Sequence, residues 1–476
     1  MPCCERGAVK DSSSDVRVER SPRSPVVGRP VRDDIDEVIV GELRLGIDLA
    51  CREAHRAALA DETGRLLWIN HCFYSRPADL ERLWAAVQNA ASGGEAVVVV
   101  MEPTRNAWVV LAAWLRARGA TVRLVPPEQS ADLRKYYNKH TKTDRLDAVL
   151  LARLPLLHPD GLVATPGLGP AESLRRAVGR RAALVARRAA AGHRLEALLE
   201  LLGPAWTAVL GTDPGKVKAA CSVLERYADP HALHRLGRAR LARLLIRASR
   251  GQWREDKADA LLAAARETLA LWPEGSIDFA ELAEDIAAET RLLRGLLNEI
   301  DQLDDRIAAS YQHADPTGIV ASAPGLGPVL AAAILGRLGD PARFRDLAAV
   351  RAYTGLVPKI DQSGTTERHH GLTKAGDHVL RYALFFAADH ARKTDPTLAD
   401  HYQRLRDRGK HHNSALCTLA AVLITRIAAC WRAGQHYQLR DLHGRPISHA
   451  RRSRQTGGCG ARWSEGGLDR LAPGAG

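Results

Sequence analysis

Residues 41 to 160 combine short apolar runs, typical of buried strands, with the three-to-four spacing of amphipathic helices. Strands are predicted for "ELRLGIDLA", "HRAALA", "RLLWINHCF", "EAVVVVME" and "ATVRLVPP", with "DETG" as a hairpin turn between the second and third. The uninterrupted "EAVVVVME" suits a central strand that is covered on both faces. Helices are predicted for "PADLERLWAAVQNAAS" and for "NAWVVLAAWLRARG", which ends at Gly119. The order is βββαβα followed by a further helix, which indicates an α/β domain.

A hairpin meander followed by βα units is the order of a ribonuclease H-like fold, which we therefore expect for 41–165. Residues 166–315 carry apolar positions at threes and fours over many turns, and this pattern suits a long helical hairpin or a coiled coil that dimerises the protein. In 316–436 short helices alternate with glycine-rich loops, so a mainly helical domain is predicted. Residues 1–40 and 437–476 are polar, the second segment basic, and both are predicted to be disordered tails.

The net charge of the 476-residue chain is +13, with a pI near 9.6. A basic balance favours a polyanionic partner, nucleic acid before membrane, although a GC-rich genome would also enrich arginine and alanine. The eight cysteines form no CxxC pair and no zinc spacing, which fits a reducing, cytoplasmic environment. The first residues lack the apolar segment of a signal peptide. No apolar run approaches the roughly 20 residues of a membrane span, so no membrane partner is expected.

Asp48 and Glu102 are acids at strand positions. Asp48 lies in the apolar run "RLGIDLA", where a carboxylate is costly unless it is paired or bound to metal. Glu102 directly follows "VVVVM", at the carboxyl end of the predicted central strand, where ligands collect in open α/β sheets. The two acids become neighbours if these strands pair side by side. Taken alone, Asp48 also fits a buried, hydrogen-bonded carboxylate.

Asp144 and Asp147 lie three residues apart where the helix of "KTDRLDAVLLARL" begins. The pattern resembles a capping box that favours the helix dipole, but it also puts both acids on one helical face. Four converging carboxylates would raise one another's pKa unless cations lay between them. Because oxygen ligands select hard ions, we predict a site for two Mg²⁺ or Mn²⁺ ions that clamps the attacking and leaving oxygens of a phosphodiester.

Other segments supply candidate nucleic-acid contacts. The turn in "APGLGP" opens a helix whose backbone N–H groups can bind phosphate, although a tight turn between helices explains its glycines equally well. Basic residues precede the acid pair and flank a later loop, and solvated surface charge is the alternative for them. The predicted contact residues are Arg134, Lys135, Lys139, Lys142, Gly325, Gly327, Arg368, Lys374 and Arg381.

These motifs, in this order, resemble the insertion-sequence one-ten family of transposases, relatives of the Piv invertase. The matching residues are Asp48 in "GIDLA", Glu102 in "MEPT", Asp144 and Asp147 in "KTDRLDA", and the "QSG" of "GLVPKIDQSGTTERHHGLTKAGDHVLR". The resemblance covers about residues 41 to 436. It implies a RuvC-like amino-terminal domain with a DEDD tetrad, and a carboxyl-terminal transposase domain with a nucleophilic serine, here Ser363.

The same resemblance implies an enzyme of a bacterial insertion sequence that cuts and rejoins DNA. It further implies a composite site across the subunits of a homo-oligomer, a dimer or a tetramer, guidance by a noncoding RNA, and a nucleoid-associated location. Without the resemblance, Ser363 is an ordinary turn serine. The paired histidines His369 and His370 have no assigned role.

Three other functions are compatible with parts of the sequence. A RuvC-like junction resolvase or structure-specific nuclease without strand joining would use the tetrad but would leave 316–436 without a purpose. A sugar kinase or actin-like ATPase would need further phosphate loops and a second similar domain. A non-enzymatic DNA-binding protein would explain "APGLGP" and the charge but not Asp48.

Overall fold

The computed structural model describes residues 41–125, 144–157, 163–164, 171–363, 366–374 and 376–447. The predicted tail 1–40, most of the second tail (448–476) and the cationic residues Arg134, Lys135, Lys139 and Lys142 lie outside these ranges. The described chain consists of a mixed α/β region at the amino terminus and a mostly helical remainder. This confirms the coarse fold class that the hydrophobic pattern predicts.

A six-stranded mixed sheet organises the amino-terminal region. Its strands are β1 (Glu42–Asp48), β2 (His55–Ala60), β3 (Leu66–Phe73), β4 (Ala96–Met101), β5 (Thr121–Leu124) and β6 (Val163–Ala164). Their spatial order is β3-β2-β1-β4-β5-β6. Strands β1, β4 and β5 are parallel, whereas β2, β3 and β6 join by antiparallel pairing. The five strands that the sequence predicts are all present, and the short edge strand β6 is additional.

Helices cover both faces of this sheet. The helices of the region are α1 (Pro77–Ala90), α2 (Ala107–Arg116) and α3 (Asp144–Leu157). Side chains alternate along β4, so Val97, Val99 and Met101 join the core of α1 and α2, while Val98 and Val100 pack with α3 on the other face. The central strand is therefore buried on both faces, as its uninterrupted apolar run predicts.

The predicted "DETG" turn joins β2 to β3. The Asp61 carboxylate closes it by accepting hydrogen bonds from the backbone N–H of Thr63 (2.9 Å) and Arg65 (3.0 Å), and from the Thr63 hydroxyl (2.6 Å). Gly64 adopts φ +84°, a left-handed conformation that favours glycine. Local turn chemistry therefore fixes this hairpin, as the sequence indicates.

Two long helices, α4 and α10, dominate the middle of the chain, and shorter helices lie between them. The middle helices are α4 (Ala171–Leu202), α5 (Pro204–Leu210), α6 (Lys218–Leu224), α7 (Pro230–Leu236), α8 (Arg238–Ser249), α9 (Glu255–Leu271) and α10 (Phe279–Ala314). Arg180 pairs with Glu299 and Arg194 pairs with Glu289, so α4 and α10 are antiparallel. The two helices form a helical hairpin within the chain, and dimerisation through a coiled coil stays a prediction.

The carboxyl-terminal helices form a core with one end of this hairpin. They are α11 (Pro328–Leu338), α12 (Leu347–Thr354), α13 (His378–Ala391), α14 (Pro396–Asp407) and α15 (His412–Ala433). Leu174 and Val178 of α4, with Ile300 and Ile307 of α10, are buried in the same cluster as these helices. A separate cluster contains the helices α5 through α9 and the other end of the hairpin. Tyr437 and Leu439 are also buried, so 437–447 includes residues packed against the core rather than a disordered tail.

Helix α15 corrects one expectation from the sequence. It has 22 residues and is long and apolar enough, by length and composition, to cross a membrane. The expectation that no apolar run approaches about 20 residues is wrong for this helix. Its residues Leu416, Leu419, Leu423 and Ile427 are buried in the carboxyl-terminal core, so a core helix meets the same criteria.

Candidate carboxylate site and serine hairpin

Asp48 and Glu102 lie at the carboxyl ends of two neighbouring parallel strands. The register of β1 and β4 places Ile47 opposite Met101. Asp48 is the last residue of β1, and Glu102 is the first residue after β4. Adjacent strands lie about 4.8 Å apart, and residues in register point to the same face of the sheet. Because Ile47 belongs to the core of α1 and α2, alternation along β1 directs Asp48 to the face covered by α3. Glu102 comes directly after β4 at the same edge of the sheet. The two acids therefore follow adjacent positions of neighbouring strands, as expected if these strands pair side by side.

Helix α3 crosses this face directly over β1. A Cβ atom added at Gly46 would lie 2.2 Å from both the Ala148 carbonyl oxygen and the Ala152 nitrogen. Farther along α3, the Arg153 Nε donates to the carbonyl of Gly64 (3.0 Å), in the turn beside the amino-terminal end of β1. The helix therefore runs antiparallel to β1, and its first turn points toward the strand end that carries Asp48 and Glu102.

The first turn of α3 contains the other two acids. The helix begins at Asp144, whose side chain lies outside the described residues, and Asp147 is buried with 6% of its surface exposed. Acids in a first turn also stabilise the helix dipole, so that explanation of the pair fits this placement as well. Within the described ranges, no group of three or more His, Cys, Asp or Glu side chains is arranged to bind a metal ion. Two acids are thus adjacent in register, and a third lies on the helix that faces them.

His55 fixes the loop that follows Asp48, a role that the sequence does not reveal. The Ala50 N–H donates to His55 Nδ1 (3.2 Å), so the ring carries its proton on Nε2, which lies 2.9 Å from the Ser75 hydroxyl. The side chain is buried, and burial lowers the pKa of its imidazole. A neutral ring is therefore favoured, and only a neutral ring can accept the bond from Ala50. A lone histidine at the start of a strand has no sequence pattern that would single it out.

Ser363 is the last residue of a strand in a separate two-stranded hairpin. Strands β7 (Pro358–Ser363) and β8 (Thr366–Leu372) pair antiparallel, with Ser363 opposite Thr366. The register also places Asp361 opposite Arg368 and Ile360 opposite His369. The predicted turn serine therefore lies at the tip of a β-hairpin. The side chains of 360–370, including those of Arg368, His369 and His370, lie outside the described residues.

Arg381 joins the base of this hairpin to the helical core. Its guanidinium donates to the backbone carbonyls of Thr354 (3.2 Å) and Lys374 (3.1 Å), one on each side of the hairpin. Lys374 is exposed and has φ +53°. Nearby, the N-cap residue of α13, Asp377, forms an ion pair with Arg337 of α11. Arg381 thus has a structural role beside the phosphate contact predicted for it.

The glycines of "APGLGP" occupy two different environments. Gly325 has φ +81°, and a Cβ there would lie 2.6 Å from the Ala391 nitrogen and 2.7 Å from the Ala387 carbonyl oxygen of α13. Close packing of two backbones therefore requires a glycine at this position, which supports the tight-turn explanation. Gly327 is the N-cap residue of α11, and Pro328 follows it. The predicted phosphate contact stays a prediction for both residues.

Comparison with known proteins identifies the family. A model of DEDD-type IS110 proteins, described as "Transposase", matches residues 45–204. A second model, described as "Transposase IS116/IS110/IS902 family", matches residues 318–403. The chain belongs to the IS110 family of transposases. Both matches lie within the region in which the motifs resemble the insertion-sequence one-ten family, so this resemblance is confirmed. As a member of this family, the protein is an enzyme that acts on DNA in transposition.

Several curated relatives match this chain over most of their own length. The chain is 29% identical to the "Insertion element IS110 uncharacterized 43.6 kDa protein" of Streptomyces coelicolor over 356 residues, 74% of this chain and 85% of that protein. It is 28% identical to the "Insertion element IS900 uncharacterized 42 kDa protein" of Mycobacterium paratuberculosis, over 79% of this chain and 92% of that protein. The "Mini-circle putative transposase for IS117" of Streptomyces coelicolor is also 28% identical, over 82% and 94% of the two chains.

Proposed function

We propose that this transposase cuts and rejoins DNA strands with a carboxylate centre of Asp48, Glu102, Asp144 and Asp147 and with Ser363 as nucleophile. The observation that carries the proposal is the register of β1 and β4, which makes Asp48 and Glu102 neighbours at the strand ends toward which α3 points. The family match favours this function over a junction resolvase, because it includes residues 318–403 as well as the tetrad region. The strand order β3-β2-β1-β4-β5 supports a ribonuclease H-like, RuvC-like fold for 41–165.

The donor set of this centre fits hard divalent cations. Its four side chains offer only carboxylate oxygens, which are the ligands that Mg²⁺ and Mn²⁺ prefer. When bound, two such ions would neutralise the negative charge that builds up on a phosphodiester during strand cleavage. The protein's own contribution is orientation. Parallel strands fix Asp48 and Glu102, and the close packing of α3 over Gly46 fixes the helix that carries the other two acids.

Ser363 would supply the hydroxyl that attacks phosphorus. In this step the Oγ–P bond forms, the bond between phosphorus and the leaving DNA oxygen breaks, and the serine proton passes to a base while the leaving oxygen gains a proton. One DNA end is then free and the other is esterified to the protein. The ester conserves the energy of the broken phosphodiester bond for rejoining. A serine hydroxyl needs activation, so we propose that the hairpin tip meets the carboxylate centre in the assembled enzyme.

The remaining partners belong to the same proposal. DNA of the element ends and target would contact the predicted cationic and glycine residues, and a noncoding RNA would guide the choice of site. A dimer or tetramer would bring a serine hairpin and a carboxylate centre together. An enzyme that acts on bacterial DNA would work in the cytoplasm, beside the nucleoid.

A covalent-adduct experiment tests this function. Wild-type protein incubated with labelled element-end DNA and Mg²⁺ should yield a protein–DNA adduct that survives denaturing electrophoresis. Ser363→Ala should bind the DNA with unchanged affinity but form no adduct, and Asp48→Asn should likewise form none. The matched control is Ser414→Ala, an exposed serine on α15. Adduct formation by Ser363→Ala at the wild-type rate would overturn the nucleophile assignment. Branched-DNA cleavage by the wild type without adduct or joining would favour the resolvase.

A further inference from the structure

Helix α8 carries a row of four exposed arginines. Arg240, Arg243, Arg247 and Arg250 are spaced three, four and three residues apart, so they follow one face from the first turn of α8 to its C-cap. The opposite face is apolar and buried, with Leu241 and Leu245 in the core of the middle region. The core thus fixes the helix, and its rotation presents all four guanidinium groups to solvent.

The arginine row is not neutralised by the rest of the described chain. Within those residues no acid forms an ion pair with any of the four, whereas Arg238, at the start of the same helix, pairs with both Glu255 (2.9 Å) and Asp259 (2.6 Å). Three exposed arginines of α4 and α10 are also paired, among them Arg194 with Glu289. Like charges three or four residues apart destabilise a helix. Repulsion within the row therefore reduces the stability of α8, and a bound polyanion would offset this effect.

We infer that the arginine row of α8 binds the phosphate backbone of duplex DNA. The row extends over eleven residues, about 15 Å of helix, which matches about four base pairs and several phosphates of a duplex. Guanidinium groups bind phosphate oxygens through paired N–H donors, and such contacts position a protein on DNA without sequence preference. An enzyme that acts on DNA supplies this partner. The inference rests on the family's activity and not on the carboxylate centre or Ser363.

Salt dependence tests this inference quantitatively. The variant Arg240→Gln/Arg243→Gln/Arg247→Gln removes three charges but keeps residues with good helix propensity. The binding constant for a labelled DNA duplex is measured by fluorescence anisotropy at several salt concentrations. Its logarithm falls linearly with the logarithm of the salt concentration, and the slope is proportional to the number of phosphates neutralised. The slope should decrease by up to about 2.7, since each contact contributes about 0.9. Loss of repulsion should also raise the urea midpoint of unfolding.

The matched control removes the same charge from neutralised positions. Arg180→Gln/Arg194→Gln/Arg294→Gln replaces three exposed arginines that pair with Glu299, Glu289 and Glu225. This variant should keep the wild-type slope and should not raise the urea midpoint. The inference is overturned if the α8 variant also keeps the wild-type slope, or if both variants lose slope equally. An RNA duplex of the same length is the second arm, and a loss confined to RNA would assign the row to RNA and reject DNA. Strand-cleavage results do not affect either outcome.

Discussion

At the scale of single residues, the proposed carboxylate centre depends on the position of each acid relative to the buried sheet. Asp48 and Glu102 follow Ile47 and Met101, two fully buried residues in register on adjacent strands. Adjacent carboxylates repel each other, so a nearby cation stabilises their charged forms. Asp147, buried on the facing helix, has the same need for compensating donors or charge.

The histidine that fixes the loop after Asp48 gives a prediction for pH dependence. Burial lowers the folded-state pKa of His55 below its unfolded value of about 6.5, so the unfolded state binds the proton more readily. Its stabilising effect is fully present above pH 6.5 and is lost as the pH falls through the folded pKa.

The test is a comparison of wild type with His55→Asn, whose amide oxygen can accept the Ala50 hydrogen bond but does not titrate. Urea unfolding of both proteins between pH 7.5 and 5 should show a smaller loss of stability in the variant. Parallel pH profiles would contradict the assigned role, because other histidines contribute equally to both.

At the scale of secondary-structure elements, the contact between α3 and β1 positions the candidate site. Ala148 and Ala152 lie so close to Gly46 that no larger residue fits without moving the helix. A shift of α3 would move Asp144 and Asp147 together relative to the strand ends.

Gly46→Ala should therefore impair catalysis without altering any acid. Overpacking of this kind costs about 1 to 3 kcal/mol, and DNA cleavage should fall by more than the residual unfolding explains. The control is Gly192→Ala in α4, where nothing lies within 4 Å of an added Cβ. That change should stabilise the protein by roughly 0.5–1 kcal/mol and leave cleavage unchanged. Full activity in Gly46→Ala would show that the position of α3 is not critical.

Some elements could be predicted from sequence because their signals are local. Short apolar runs and the Asp61 turn are sufficient for β1 to β4, since each depends on neighbours in the chain. The sequence does not predict the hairpin of β7 and β8, because "PKIDQS" and "TERHHGL" are mostly polar and show no apolar alternation. The glycines around that segment predict a loop instead. The contact of Gly46 with α3 depends on residues about 100 positions apart, which no local pattern records.

At the scale of the whole molecule, the long helices link two cores. One end of the α4–α10 hairpin packs with α5 to α9, and the other end is buried with the carboxyl-terminal helices. Because the hairpin buries its own apolar stripe, that stripe no longer argues for self-association. The dimer or tetramer stays a prediction, and light scattering with and without DNA tests it.

This shared core predicts how the chain can be divided. A fragment of residues 316–447 lacks the buried residues Leu174, Val178, Ile300 and Ile307, so it should not unfold cooperatively. A fragment of residues 171–447 retains them and should give a single sharp thermal transition by circular dichroism. Cooperative unfolding of the shorter fragment would contradict this account and favour an independent domain that begins at 316.

Direct metal binding tests the central proposal most simply. Titration of the full chain with Mn²⁺, followed by electron paramagnetic resonance, should show about two bound ions per wild-type chain. Asp48→Asn and Glu102→Gln should each lose this binding while keeping the wild-type unfolding midpoint. Glu267→Gln, which changes an exposed acid on α9, should bind as the wild type does. Undiminished Mn²⁺ binding in both Asp48→Asn and Glu102→Gln would contradict the carboxylate centre.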